Sequence, residues 1–104
     1  MPQIHLIERV SELKITNKEN QEWDSYCWKV TEETANKLVG GNIYLHRAQD
    51  KPSHFGGEIL SYRVLGENDG YLPGRIVFNF RASADCKAVR AGKDGWGMEK
   101  KIVW

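Results

Sequence analysis

From Arg75 to Arg81 the chain alternates almost without a break. Ile76, Phe78 and Phe80 fall on one side, and Arg75, Val77, Asn79 and Arg81 on the other. A period of two marks a strand with one buried face. Asn42 to His46 repeats the pattern, with Ile43 and Leu45 set against Tyr44 and His46. Glu58 to Leu65 places Leu60, Tyr62 and Val64 opposite Ile59, Ser61 and Arg63. Trp23 to Val30 is rich in aromatic and β-forming residues and predicts another strand. Trp23 and Trp28 are five positions apart, so regular alternation puts them on opposite faces, one in the core and the other free to line a pocket. Ile4 to Ile15 mixes its periods and predicts a strand followed by a helical turn, and Met98 to Trp104 predicts a closing strand.

One helix interrupts the strands. Thr31 is a good N-cap, and Glu32 and Glu33 follow in the first turn, where the helix dipole favours carboxylates. Ala35, Leu38 and Val39 form its expected buried side, and Gly40 ends it. Thr16 to Glu22 and the turn-rich stretch Gly66 to Gly74 predict loops. Gly40-Gly41 and Gly56-Gly57 each precede an apolar run, which predicts two strand starts. The polar segment from His46 to Phe55 lies between them as a loop. The result is one α+β domain, mainly β, of five to six strands with one or two short helices. So little helix favours a sheet that curls into a small barrel and hides its edges.

Composition narrows the class. The 104 residues suffice for one domain, 1–104, with its own core, and 40% apolar with 28% charged residues describe a globular chain. No apolar run reaches the roughly 20 residues of a membrane span, and the N-terminus lacks a signal-peptide pattern. Cys27 and Cys86 are isolated, which fits two reduced thiols in a cytoplasmic protein. The net charge of +1 hides an asymmetry: residues 1–74 hold eight Lys/Arg against eleven Asp/Glu, and residues 75–104 hold seven against three. Such a basic segment suits a phosphate-facing surface, and equally an ordinary solvated face.

Catalytic and metal chemistry find little footing. Cys27, His46, His54 and Cys86 have no short ligand spacing, so neither a metal nor another cofactor is expected. Cys27 sits mid-strand as a small hydrophobe would, and no G-x-S-x-G, H-E-x-x-H or phosphate-binding glycine loop occurs. No catalytic residue is assigned.

Several of these features occur together in a known superfamily. A strand with Tyr26-Cys27-Trp28, a short helix, the glycine-led strand Gly41-Asn42-Ile43-Tyr44-Leu45, a polar loop, and Phe55-Gly56-Gly57-Glu58-Ile59 resemble the PUA-like superfamily, in particular its EVE and ASCH branches. The likeness covers residues 23–82, and Asn42 stands where the family usually has Asp. The resemblance implies a pseudobarrel that binds RNA or DNA, often reading a modified or flipped-out base in an aromatic pocket. Stacking surfaces and hydrogen bonds to base edges are what such a pocket needs. The candidates are Trp28, Tyr44, His46, Arg47, Ser53, His54, Phe55, Arg81, Arg90, Lys93 and Trp96. The last four belong to a basic segment, 81–104, that either forms a flap over the pocket or is a surface loop pinned by Trp96. Two other classes stay open. An ASCH-like hydrolase acting on a nucleoside or amide, drawing on Lys29, Thr31 and Glu58, predicts a buried cluster of titratable groups. A protein-interaction module predicts an exposed apolar patch.

Overall fold

The computed structural model describes residues 2–8, 13–69, 73–92, 95–97 and 100–104, without the side chains of Cys27 and Asp69. Seven strands and one helix are described: β1 (Gln3–Ile7), β2 (Leu13–Asn17), β3 (Glu22–Trp28), α1 (Glu32–Leu38), β4 (Asn42–His46), β5 (Ser53–Val64), β6 (Ile76–Ala82) and β7 (Lys100–Val103). They form one mixed sheet in the order β2-β3-β6-β5-β4-β1-β7. β1 runs parallel to β4, and the other neighbours are antiparallel. Among the described residues no pairing joins β2 to β7, so the sheet stays open. It nevertheless curls, because Leu13 on one edge strand and Ile102 on the other pack against the same core.

The inner face holds that core. Ile4, Leu6, Ile43, Leu45, Ile59, Ile76, Phe78 and Phe80 alternate inward from four strands, and Ala35 and Leu38 of α1 meet them. Each large side chain removed from water there contributes on the order of 1.5–3 kcal/mol. Thr31 caps α1 by accepting from the Thr34 amide, and Gly40, at φ +90°, takes the left-handed turn that ends it. Val39, expected on the buried side, is 39% exposed, because the chain has already left the helix there.

Three differences from the sequence pattern share one cause, the β-bulge. A register shift between Ser25 and Trp28 returns Trp28 to the side that Trp23 and Ser25 occupy. Both indoles therefore pack on the inner core instead of facing opposite ways. A second shift, between Ile59 and Ser61, puts Ile59 and Tyr62 on one face. A third sets His54 as the extra residue between Ser53, opposite His46, and Phe55, opposite Leu45.

Strand boundaries also move. β5 begins at Ser53, so Gly56-Gly57 lies inside a strand and does not start one. These glycines serve close approach: a Cβ on Gly57 would strike the Arg81 carbonyl, and one on Gly56 the Ile43 carbonyl. Thr16 and Asn17 belong to β2, not to a loop. The stretch Ile4 to Ile15, expected to end in a helical turn, ends instead in β2, which opens at Leu13; residues 9–12 lie outside the described residues, as do parts of the 66–74 turn and of the 98–104 strand.

Candidate nucleic-acid interface

The segment after β6 crosses the outer face of the sheet. Its 3-10 turn, Ala84–Cys86, sits over Gly56, whose missing Cβ leaves room for the Cys86 side chain. Next it pairs with the start of β5: the Ser53 amide donates to the Val89 carbonyl at 2.8 Å, and the Ala88 amide to the Ser53 carbonyl at 2.7 Å. The buried Ser53 hydroxyl adds two bonds, donating to the Cys86 carbonyl at 2.6 Å and accepting from the Val89 amide at 2.9 Å. Farther along, the Lys101 ammonium donates to the Ala91 carbonyl, and the Trp96 indole N–H to the Gly92 carbonyl at 3.0 Å. The segment is a strap laced to the sheet by polar groups.

Where strap and rim loop meet, a groove of about 260 Å³ opens between Gln49, Asp50 and Lys51 on one side and Arg90, Ala91 and Gly92 on the other. Lys51 and Arg90 are both exposed, and their charges outnumber the single carboxylate of Asp50. Arg47 is exposed at the start of the same loop.

Beneath the strap lies a polar cluster that the sequence reading missed in part. His5 Nδ1 is 2.9 Å from His46 Nε2, and His46 Nδ1 is 2.8 Å from the Lys51 carbonyl. A carbonyl only accepts, so His46 carries its proton on Nδ1 and receives one from His5 Nδ1. That order leaves Nε2 of His5 as the basic end of the pair. The His5 ring stacks on Tyr44, with centroids 4.7 Å apart and planes at 15°. Trp96 closes the cluster edge-on, 5.6 Å from His46 and 6.3 Å from His5. His5 is 2% exposed and His46 fully buried.

Burial keeps these groups neutral. It brings the pKa of His5 down to about 4, helped by His46 and by the Lys101 charge. Burial also lowers His46, against the Lys51 carbonyl bond that opposes the shift. His54 is lowered by burial and by Arg47 and His46. The Cys86 thiol is raised by burial and by Asp85, with the Tyr44 hydroxyl opposing. The strap is therefore seated on neutral rings and hydrogen bonds, with the Lys101 ammonium as the charged group among them.

The sequence-derived candidates divide accordingly. Tyr44, His46 and Trp96 meet in the cluster, Ser53 stands opposite His46 and ties down the strap, and Arg90 lines the groove, with Arg47 exposed at the start of the rim loop. His54 is half-buried at its bulge, with Nε2 enclosed and without a hydrogen bond. Phe55 turns to the inner core, edge-on to Trp23 and Phe80, with the Lys87 ammonium 5.9 Å from its ring. Trp28 is a core residue, 8% exposed, whose indole N–H donates to Ser25 Oγ at 2.9 Å. Arg81 is exposed on β6, paired across the sheet with Glu22 and Glu58, away from the groove lining. Lys93 lies outside the described residues. Lys29 and Thr31 precede α1, and no hydrogen bond or ion pair among the described residues joins either to Glu58 on β5. No group of three metal-binding side chains occurs among the described residues, and no helix there is long and apolar enough to cross a membrane.

No family model matches this chain, and neither a curated protein nor a solved structure does.

Proposed function

We propose that this chain is a PUA-like module that binds nucleic acid, with backbone phosphates seated in the groove between the rim loop and the strap. One observation carries the reading: two basic segments nearly forty positions apart are laced together at Ser53 and Val89, with Lys51 and Arg90 on facing walls. Ammonium and guanidinium groups on opposite walls suit a phosphodiester, which accepts hydrogen bonds from both sides. The curled sheet, whose two edges share one core, is consistent with the pseudobarrel of that superfamily. An extruded base would enter beside Tyr44 and His46 only if Trp96 swung aside, so the reading places phosphates in the groove and a base under the strap.

Tryptophan fluorescence titrated with RNA, single-stranded DNA and duplexes, with and without modified bases, tests the reading at low salt. The double variant Lys51→Ala/Arg90→Ala is expected to weaken binding and to reduce the salt slope by about one to two counterions. Unchanged binding in that variant would remove the groove from the interface. No response of the unaltered protein to any of these ligands would end the nucleic-acid reading.

A second reading has its own observation. A hydrolase requires buried titratable groups with displaced pKa values, and His5, His46, His54 and Cys86 form such a set. In that case Nε2 of His5 would serve as the base once the strap opened. Its mark is turnover of a nucleoside or amide substrate that His5→Phe abolishes. The interaction-module reading has less behind it: among the described residues the large exposed apolar side chains, Ile15, Val39, Val64, Val103 and Trp104, are divided among β2, the end of α1, the end of β5 and the end of β7.

A further inference from the structure

The outer face carries a second concavity, on the opposite side of the sheet order from the groove. It measures about 260 Å³ and lies over β2, β3, β6 and β5, with Val77 among its lining residues. Asp24 and Asn79 form its fixed centre. The Asn79 amide nitrogen donates to Asp24 Oδ1 at 3.0 Å, to Thr16 Oγ1 at 3.2 Å and to the Trp23 carbonyl at 3.3 Å. All three partners can accept and two can only accept, so the amide orientation is determined. Asn79 Oδ1 is therefore the end of the amide turned away from these partners. Asp24 Oδ2 stands 3.6 Å from Arg63, an ion pair longer than a hydrogen bond, and keeps lone pairs to give.

The surroundings restrict what those two acceptors take. The Arg63 guanidinium lies over the Tyr26 ring, 5.2 Å from its centroid, and donates to the Tyr26 hydroxyl. The Lys14 ammonium lies 4.8 Å from the same centroid. Two cations beside one carboxylate repel a cationic ligand and favour a neutral or anionic one. Arg63 is still 49% exposed, and an exposed guanidinium is a planar surface on which a base stacks. Ser61 adds a hydroxyl at the wall.

We infer that this cleft is a second nucleic-acid site, which accepts the Watson–Crick edge of a guanine. The inference rests on the nucleic-acid reading and names the base that its second site prefers. Guanine offers adjacent N–H donors at N1 and N2, the complement of a carboxylate beside an amide oxygen, and its O6 accepts from Arg63 or a hydroxyl. Adenine offers one donor on that edge and an acceptor beside it, which would face Asp24 with like polarity.

The test is a titration of isotope-labelled protein, followed by amide chemical shifts at low salt, with GMP, AMP, CMP, free arginine and inorganic phosphate. GMP is expected to shift Asp24, Ser61 and Asn79 and to bind about tenfold or more tightly than AMP. Asp24→Asn should abolish that preference without altering AMP. Ser61→Phe, at an exposed position, should block the cleft while leaving the Asp24–Asn79 network in place, so a misfolded Asp24 variant would not rescue the idea. Equal binding of the three nucleotides, preference for arginine, or shifts confined to 49–51 and 90–92 would overturn it. The Lys51→Ala/Arg90→Ala protein should retain the GMP shifts. A wild type that binds no oligonucleotide yet prefers GMP at the cleft would end the nucleic-acid reading, groove and second site alike, and leave only the guanine preference of the cleft.

Discussion

The buried histidine pair makes acid stability the sharpest test of how the strap is held. His5 titrates near 6.5 when unfolded and at about 4 in the native protein. Its folded pKa is depressed, so the unfolded chain takes up the proton first as the pH falls. The stability contributed by neutral, buried His5 is whole above about pH 7. It is lost between 6.5 and 4, and constant below that. Integrated over that window the loss is about 3 kcal/mol, of which about 2 kcal/mol has gone by pH 5. For a domain of this size that is a large part of the whole, since net stability is about 5–15 kcal/mol.

Urea unfolding followed by tryptophan fluorescence at pH 7, 6 and 5 measures it. Carboxylates unfolded near pH 4 contribute little above pH 5, so the window isolates the histidines. His5→Phe is the matched variant: it keeps a ring to stack on Tyr44 and removes the titrating group. It starts less stable by about 1–3 kcal/mol, because His46 Nε2 loses its donor in a buried site. The decisive quantity is the slope, which should be shallower in the variant by about 2 kcal/mol between pH 7 and 5. His46 and His54, also lowered, retain a smaller dependence of the same sign. Because His5 and His46 touch, the apparent pKa belongs to the pair, and imidazole proton shifts followed over the same range should move together. Parallel loss of stability in the two proteins would refute this account.

Three other perturbations probe the frame that positions the site. Phe80→Ala empties a fully buried position where β6 meets β3 and β5, and should cost about 3–5 kcal/mol in chemical denaturation. Gly57→Ala drives a methyl into the Arg81 carbonyl and should destabilise by about 1–3 kcal/mol or more, whereas Gly74→Ala, with nothing within 4 Å but φ +84°, reports the conformational cost alone. Thr31→Ala removes the acceptor for the Thr34 amide and should lower stability by about 1 kcal/mol, an effect that Thr31→Asn restores.

The local signals in the chain were legible because local physics produces them. The alternation of Ile76, Phe78 and Phe80, the cap at Thr31 and the stop at Gly40 each depend on a few neighbouring residues, and each is found in the structure. Bulges broke the rule at Trp28 and Ser61, because one extra residue inverts every later side chain and leaves no mark in composition. The strand count rose to seven because of β2, a short edge strand whose outer face carries Lys14 and Thr16, polar residues that hide a strand pattern, whereas β7 falls inside the closing strand expected over 98–104.

His5 shows where local signals end. It sits between Ile4 and Leu6, so a period of two already assigns it to the opposite face from the core. What the sequence lacks is the parallel pairing of β1 with β4, which sets His5 beside Tyr44 and within reach of His46, forty-one positions away. That contact also gives the rim loop its shape, since the far nitrogen of His46 holds the carbonyl of Lys51, a residue of the groove. The cluster and the groove are thus one mechanical unit. A buried pair that orders a surface lysine should leave its trace on binding: His5→Phe, which touches no groove residue, is expected to loosen the Lys51 loop and weaken oligonucleotide binding at neutral pH. An unchanged affinity would mean that the loop keeps its shape without the pair.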